Sequence, residues 1–233
     1  MKTILLKLSG EILLEGAEIL PSLLGQIKRL KNTHRFAIVI GGGNIFRARS
    51  YSGQQELNLR QPIADSVGML ATAMNGLILQ EYFNQNGLPS TLLSAIPLPA
   101  LANVINQTTI DDAFASDKCI IFCGGTGTPY FTTDTTAIIR ALQIGATEVW
   151  KATNINYIYD GNPHVGDPNT ISTCKPIKHI SYTEFLQKQL KIMDLTAITL
   201  AQQHSVKIRV FNIFATNALE AVAHDLTIGS TIS

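Results

Sequence analysis

The residues best suited to chemistry lie in a loop rich in glycine and threonine, here called the Gly/Thr loop (Cys123–Asp134). It follows a short apolar run, Lys118–Phe122, with the pattern of a buried strand, and it precedes a predicted helix over 135–142. Backbone N–H groups at a helix N-terminus attract anions, glycines let a ligand approach the backbone, and threonines supply hydroxyl groups. The loop therefore indicates an anion-binding site, although a tight strand–helix turn capped by Asp134 would show the same pattern.

Residues typical of phosphate binding also follow other predicted strands. The first strand ends in Lys7–Gly10, the second runs into Gly41–Asn44 with Arg47 just beyond, and a later strand ends at Lys151. In open α/β sheets, ligands lie outside the carboxyl ends of the strands. Lysine supplies a point charge, arginine a planar fork and glycine turns free N–H groups, so this edge of the sheet is predicted to bind phosphate.

Two well-known nucleotide-binding motifs are excluded. The sequence contains no G-x-x-x-x-G-K-[ST] pattern, so the chain is not a P-loop enzyme. Gly125-Thr126-Gly127 lacks the third glycine of a dinucleotide-binding motif. The five histidines are scattered, and no Ser/His/Asp or Cys/His arrangement can be defended.

Each charged candidate also has a structural interpretation. Lys7 is the least ambiguous, because lysine is almost never fully buried alone. Lys151 could extend to solvent, and Arg47 could lie on the surface. The remaining candidates are aspartates at or before the starts of predicted helices, where a carboxylate can cap free N–H groups or orient a lysine or a ligand: Asp65, Asp134 and Asp194.

Strand-like and helix-like segments alternate along the chain, which predicts a three-layer α/β/α sandwich with a mostly parallel central sheet. The predicted strands are 3–8, 35–40, 91–96, 118–122, 147–150 and 206–212, and the predicted helices are 20–30, 64–84, 110–115, 135–142, 182–189, 195–204 and 217–223. Residues 154–178 are interpreted as a loop with short strands that covers a site, or as a linker. Residues 230–233 are interpreted as a last edge strand.

Composition limits the class of protein. The 233 residues are 45% hydrophobic and only 15% charged, which is typical of a compact α/β protein with one large domain or two small ones. The net charge of +1 gives no general basic field, so no nucleic-acid partner is expected.

The three cysteines do not have zinc-site spacing and indicate a reduced, cytoplasmic protein: Cys119, Cys123 and Cys174. No signal peptide and no apolar run of membrane-spanning length are predicted, so no membrane partner is expected.

Several motifs, in their order and spacing, resemble those of the bacterial UMP kinases in the amino-acid-kinase superfamily. The resemblance runs almost end to end. The segments that carry it are Leu5–Glu11 (LLKLSGE), Gly41–Arg47 (GGGNIFR), Gly68–Thr72 (GMLAT) with Asn75-Gly76, Gly125–Gly127 (GTG) with Phe131–Asp134 (FTTD), Lys151–Thr153 (KAT), Lys191–Leu195 (KIMDL) and Ile208–Asn212 (IRVFN).

The resemblance implies a single amino-acid-kinase-like domain over 1–233, with an acceptor-binding half of about 1–145 and a donor-nucleotide half of about 146–233. The implied activity is ATP-dependent phosphorylation of UMP to UDP in pyrimidine nucleotide biosynthesis. Mg²⁺ is expected to be held by the nucleotide phosphates and water, without protein ligands. A homo-oligomer, and specifically a homohexamer, is implied as well.

The resemblance also implies a role for each matching residue. The implied catalytic residues are Lys7, Arg47, Asp134, Lys151 and Asp194. The implied UMP-binding residues are Gly42, Asp65, Thr126, Gly127, Thr128, Pro129, Tyr130, Phe131, Thr132 and Thr133. The implied ATP-binding residues are Lys7, Leu8, Ser9, Gly10, Gly43, Arg47, Thr153, Tyr159 and Asn162.

Two segments depart from the family pattern. Residues 12–18 are shorter than the glycine-rich segment with which many members bind GTP as an activator. In the donor region, Lys-Val-Asp-Gly-Val-Tyr followed by Asp-Pro is replaced by Asn154–Tyr159 followed by Asn162-Pro163. A lysine and two carboxylates thereby become amides, which can still hydrogen-bond a ribose hydroxyl. This change motivates an alternative function: a catalytically weak nucleotide-binding or regulatory protein on the same fold.

Overall fold

The computed structural model describes residues 1–14, 16–46, 59–161, 174–225 and 227–233. The strands are β1 (Lys2–Leu8), β2 (His34–Ile40), β3 (Ser90–Ser94), β4 (Asn103–Val104), β5 (Cys119–Cys123), β6 (Glu148–Thr153), β7 (Ile158–Tyr159), β8 (Pro176–Ile177), β9 (His179–Ile180), β10 (Lys207–Asn212) and β11 (Ser230–Ile232). The helices are α1 (Gly16–Leu30), α2 (Gln61–Gln85), α3 (Gln107–Ala115), α4 (Thr133–Gln143), α5 (Tyr182–Gln187), α6 (Leu195–Gln203) and α7 (Ala218–His224). A 3-10 helix spans Gly10–Leu13.

Nine of the described strands form one sheet in the order β4-β3-β5-β2-β1-β6-β10-β11-β9. Every neighbouring pair is parallel except β10 and β11. Parallel neighbours require crossover connections, and the alternating helices supply them. As a result, the carboxyl ends of β5, β2, β1 and β6 lie side by side at one edge of the sheet.

Helices cover both faces of this sheet. The apolar sides of α1, α2 and α7 pack on one face, and those of α3, α4, α5 and α6 pack on the other. Successive residues of β1 point to opposite layers, so Ile4 and Leu6 join the first core and Leu5 joins the second. The predicted three-layer sandwich with a mostly parallel sheet is confirmed.

The long helix α2 is unusual, because it buries polar residues and exposes apolar ones. Thr72 and Asn75 are buried, whereas five large apolar side chains are 36–54% exposed: Ile63, Val67, Leu70, Met74 and Ile78. On length and composition alone, α2 could cross a membrane, since it has 25 residues and an 18-residue window of mean hydropathy 1.3. The prediction that no run reaches that length is therefore wrong. The buried polar side chains and the packing against β3 and β5 identify α2 as a core helix.

The structure corrects the prediction for residues 230–233 and refines the one for residues 154–178. β11 is not an edge strand, because it lies between β10 and β9; among the described residues β9 forms this edge of the sheet and β4 forms the other. β9 has only two residues, too few for any recognisable periodicity. Residues 154–178 do contain short strands, since β7 pairs with β8, while 162–173 lie outside the described residues.

Candidate active site

Two lysines and one carboxylate form a buried charged cluster at the carboxyl edge of the sheet. Lys7 Nζ is 3.1 Å from Asp134 Oδ1, and Lys151 donates a hydrogen bond to Asp134 Oδ2. The three side chains are only 7–13% exposed. Lys7 and Lys151 come from the paired strands β1 and β6, and Asp134 comes from the first turn of α4. Three separate chain segments thus meet in one ion-paired group.

The pKa values of Asp134 and Lys151 are shifted within this cluster. Burial alone would raise the pKa of Asp134, but the ammonium groups of Lys151 and Lys7 outweigh burial and hold the pKa at about 2. Burial lowers the pKa of Lys151 to about 8, although the Asp134 carboxylate opposes this shift. At neutral pH the carboxylate neutralises one lysine charge, so the cluster favours an anionic ligand.

Thr132, and not Asp134, caps α4. The Thr132 hydroxyl oxygen accepts a hydrogen bond from the Asp134 N–H at 3.0 Å. The capping alternative for Asp134 is therefore wrong, and its carboxylate is free to orient the two lysines. Asp65 does not cap a helix either, because α2 begins after Arg60 and Asp65 is its fifth residue.

Asp194 does act as an N-cap, at the start of α6. Its Oδ1 accepts hydrogen bonds from the Ala197 N–H at 2.8 Å and from the Thr135 hydroxyl at 2.9 Å. Its Oδ2 accepts one from the Thr132 hydroxyl. Asp194 thereby fixes α6 against the start of α4 and against the end of the Gly/Thr loop.

The turns after β1 and β2 pack closely together. A Cβ on Gly10 would lie 2.0 Å from Asn44 Oδ1, so no larger residue fits there. Asn75 Nδ2 donates to Gly41 O at 2.7 Å and to Asn44 Oδ1 at 2.6 Å. This fully buried amide of α2 holds the triple-glycine turn in place beside Gly10.

A cavity of about 750 Å³ opens next to the charged cluster. It lies between the triple-glycine turn, the N-terminal half of α2 and the Gly/Thr loop. Its lining residues are Gly42, Gly43, Phe46, Gln61, Ala64, Asp65, Gly68, Met69, Thr72, Gly125, Thr126, Thr128, Tyr130, Phe131, Thr132 and Thr133. Glycines, threonines and one carboxylate around a cavity of this size suit a polar ligand with an anionic group.

Hydrogen bonds from α2 hold the Gly/Thr loop over this cavity. Asp65 Oδ2 accepts from the Tyr130 N–H at 2.8 Å, and Gln61 Nε2 donates to Asp65 Oδ1 at 2.7 Å. Tyr130 has a φ of 73°, which is unfavourable for a side chain larger than glycine. Thr72 Oγ1 accepts from the Gly124 N–H at 2.8 Å. The loop is therefore tied to α2 at two points, Gly124 and Tyr130.

Gly127 is the position of this loop where glycine is required on two grounds. Its φ is 82°, in the left-handed region. A Cβ there would also approach the Ala95 carbonyl oxygen to 2.8 Å. The sequence-predicted residues Gly127 and Pro129 thus shape the loop, while their neighbours Thr126, Thr128 and Tyr130 line the cavity.

The residues predicted on the donor side lie around the ends of β1, β6 and β7. Leu8 is buried at the end of β1, and Ser9 Oγ accepts from the Glu11 N–H at 3.4 Å. The hydroxyl of Thr153, at the end of β6, lies within hydrogen-bond distance of the carbonyls of Ile155 and of Phe211 in β10, and Tyr159 is half-buried in β7. Asn156 accepts a hydrogen bond from Asn212 at 3.0 Å, close to an exposed Phe214.

Two predicted site residues, Arg47 and Asn162, lie outside the described residues. Conversely, Gln61, Thr72 and Asn75 support the site, although the motifs predicted no individual role for them. A signal for two of them was present, since Thr72 and Asn75 are polar residues on the side of an apolar helix that turns out to be buried. Gln61 had no comparable signal.

A parallel-sheet fold whose strand ends gather buried lysines and glycine turns defines a class of anion-binding, phosphate-handling proteins. The chain belongs to the amino acid kinase family, whose model matches residues 2–212. It is 38% identical to the uridylate kinase of Pseudoalteromonas atlantica over 238 residues, 99% of this chain and 93% of the relative. It is 37% identical to the uridylate kinase of Mycoplasma pneumoniae over 224 residues, 93% of this chain and 92% of the relative.

A solved structure agrees with this assignment. The crystal structure of UMP kinase from Ureaplasma parvum matches with a TM-score of 0.88 and 32% identity, covering 100% of this chain and 98% of that chain. The Bacillus anthracis UMP kinase has the same TM-score of 0.88 at 24% identity and supports the fold alone; the match covers 100% of this chain and 96% of that one.

Proposed function

We propose that this protein transfers the γ-phosphoryl group of ATP to UMP and forms UDP. The observation that carries the proposal is the Lys7–Asp134–Lys151 cluster next to a cavity large enough for a nucleotide, whose lining reaches Thr133, the residue before Asp134. Full-length similarity to proteins named uridylate kinase supports UMP as the acceptor.

The site matches what phosphoryl transfer to a phosphate requires. Such a transfer depends on positioning and charge neutralisation more than on covalent chemistry. A phosphate monoester has a second pKa of about 6, so the acceptor oxygen is largely anionic at neutral pH and needs no general base. The described part of the site contains lysines and hydrogen-bond donors that can supply such neutralisation. We infer that Lys7 and Lys151 stabilise the charge on the transferred group.

We assign UMP to the cavity and ATP to the adjoining strand ends. In this assignment, Asp65 and the Gly/Thr loop bind UMP with Gly42, and residues 7–10 with Gly43, Thr153 and Tyr159 bind ATP. The acceptor half then spans about 1–145 and the donor half about 146–233, with one continuous sheet running through both. Arg47 and Asn162 are assigned to the donor side on sequence grounds.

The charged residues present suit a magnesium ion that arrives with the nucleotide. No cluster of three or more His, Cys, Asp or Glu side chains is found in the described part of the chain. Asp134 Oδ1 is buried and lies 3.1 Å from Lys7 Nζ, and its remaining lone pair could accept a hydrogen bond from a metal-bound water. Mg²⁺ bound to the phosphates would supply further charge neutralisation. Asp134 and Asp194 would orient the lysines and the water around it.

We also propose that the protein is a cytoplasmic homo-oligomer, and a homohexamer by resemblance to the family. The exposed apolar residues of α2 recur at spacings of three and four, which places them on one side of the helix. This surface, here called the α2 stripe, consists of Ile63, Val67, Leu70, Met74 and Ile78. It carries no charged residue, and a second copy of the same stripe would cover it symmetrically. The three cysteines are free thiols, as a reducing compartment favours.

The decisive assay measures UDP formation from UMP, ATP and Mg²⁺, with CMP as the competing acceptor. We expect saturable turnover with UMP and little with CMP. Normal saturation by ATP would exclude the alternative of a catalytically weak binding protein. UMP binding without turnover would contradict the assignment of the donor side while retaining that of the acceptor side.

A further inference from the structure

A buried arginine of α4, Arg140, donates a hydrogen bond to the backbone of the Gly/Thr loop. Arg140 lies in α4 and is only 5% exposed. Long helical side chains lean towards the helix N-terminus, and the guanidinium accordingly reaches back to the loop. Its Nη2 donates to the Gly125 carbonyl at 3.2 Å, and its Nη1 donates to Gln143 Oε1. The group lies 5.8 Å from the centre of the Phe122 ring.

The charge of this arginine has no carboxylate partner. Among the described residues, no Asp or Glu oxygen lies within 4.0 Å of Arg140, and its buried Nε has no hydrogen-bond acceptor. Burial lowers the pKa of Arg140, yet a guanidinium stays protonated in proteins. Burying a charge without a carboxylate partner is costly, and the hydrogen bonds to Gly125 O and Gln143 Oε1 offset only part of that cost.

The Gly125 carbonyl connects Arg140 to the cavity. Gly124 and Gly125 have φ values of 76° and 59°, and Thr72 binds the Gly124 N–H from the opposite side. In a trans peptide, the carbonyl and the next N–H point in opposite directions. Binding of the Gly125 carbonyl by Arg140 therefore turns the Thr126 N–H away from α4. Thr126 lines the cavity, and its N–H has no acceptor among the described residues.

We propose that Arg140 is a positioning residue for the acceptor nucleotide. Through the Gly125 carbonyl it holds the Gly/Thr loop with the Thr126 N–H available to the ligand. Its uncompensated positive charge also favours an anion in the adjoining cavity. The inference rests on the proposed function, because it assigns UMP to this cavity.

Arg209 provides a matched control. It is 1% exposed, also has a buried Nε without an acceptor, and also donates to backbone carbonyls, those of Asp225 and Ile228. Neither arginine lines the cavity, and only Arg140 donates to a carbonyl of the Gly/Thr loop. Replacing either arginine by glutamine removes a buried charge and its bonds to carbonyls, but only Arg140→Gln releases the loop.

The test compares Arg140→Gln, Arg140→Lys and Arg209→Gln by calorimetric UMP binding and by the KM values for UMP and ATP. We expect Arg140→Gln to weaken UMP binding about tenfold or more, while the KM for ATP changes less than about twofold. Arg140→Lys keeps the charge without the planar fork and should lose less, about threefold. Arg209→Gln should lower thermal stability without changing either affinity.

Equal UMP affinity in wild type and Arg140→Gln, or equal losses in the two glutamine variants, would overturn the inference. If Arg140→Gln does not fold, an Arg140→Lys protein with wild-type UMP affinity would overturn it as well. Because binding is measured without turnover, failure of this inference is distinguishable from failure of the proposed reaction, which only the UDP assay reports.

Discussion

Lys7 and Lys151 lie directly opposite each other in neighbouring parallel strands, with the carboxylate of Asp134 between their ammonium groups. Both ammonium groups contact the same carboxylate, so the two positive charges lie close together, and at close range they repel each other strongly when they are shielded from water. One carboxylate cannot neutralise both. The free protein therefore holds a positive charge at the point where an anionic phosphoryl group would complete the charge balance.

Replacing Lys7 by Ala is expected to lower kcat by about 100-fold or more, because a preorganised charge that acts on the transition state is lost. The measurement is steady-state UDP formation at saturating UMP and ATP. Lys207→Ala is the control, since Lys207 is an exposed lysine at the start of β10, and it should retain wild-type turnover. Wild-type activity in Lys7→Ala would remove the role assigned to Lys7.

The lowered pKa of Lys151 predicts the pH dependence of the reaction. With a pKa of about 8, Lys151 loses its proton in the free protein as the pH rises through 8. We expect kcat/KM for ATP to fall about tenfold per pH unit above that value. Arginine keeps its charge throughout this range, so an active Lys151→Arg variant should show no fall up to about pH 10. A wild-type profile that stays flat to pH 9.5 would contradict this assignment.

The same pKa shift fixes the sign of the effect on folding. Because the folded state holds the Lys151 proton more weakly than the unfolded state does, protonation of Lys151 opposes folding at neutral pH. Its contribution to the free energy of unfolding therefore rises as the pH increases from about 8 towards the ordinary lysine value. Activity and the Lys151 contribution to stability thus change in opposite directions above pH 8.

Part of this site could be predicted from the sequence, because one topological rule places its residues together. Alternating strands and helices predict a parallel sheet, and a parallel sheet brings all its carboxyl ends to one edge. That reasoning brings Lys7, Lys151 and the two glycine-rich turns to a common edge without any knowledge of strand order.

The contacts themselves could not be predicted, because they depend on register and on distant elements. Lys7 faces Lys151 only because β6 is the neighbour of β1, an order that the sequence pattern does not contain. The hydrogen bond from the Tyr130 N–H to Asp65 joins residues 65 positions apart. An Asp near the start of a helix looks like a cap until the partner is known. The exposure of the α2 stripe could not be predicted either, since apolar residues in a sequence predict burial.

Asp65→Ala is expected to raise the KM for UMP about tenfold or more, with little change in the KM for ATP. The substitution removes the acceptor for the Tyr130 N–H and the carboxylate that lines the cavity. Asp111→Ala is a matched control, because Gln107 bonds Asp111 across one helical turn as Gln61 bonds Asp65. Equal KM values for UMP in the two variants would show that Asp65 has no special role.

Gly127→Ala tests whether the shape of the Gly/Thr loop matters for binding. The new Cβ would approach Ala95 O to 2.8 Å at a φ of 82°, so the loop must move. Gly145→Ala provides the comparison, because Gly145 also has a positive φ, 66°, but has open space around it. Both variants should lose about 1 kcal/mol or more of unfolding free energy from backbone strain. Only Gly127→Ala should also weaken UMP binding, as measured by calorimetry.

Leu70→Asp tests the α2 stripe as a contact between subunits. Leu70 is 48% exposed at the centre of the stripe, and a second copy covering it would have to bury the new carboxylate without a partner. We expect light scattering after size exclusion to show dissociation into smaller species. Leu101→Asp is the control, since Leu101 is 55% exposed on the connection before β4, does not belong to the α2 stripe, and should leave the oligomer intact. If Leu70→Asp retains the wild-type mass, the stripe is not the interface. If turnover falls together with the mass, the oligomer also supports the cavity, because the other side of α2 carries Asp65 and Thr72.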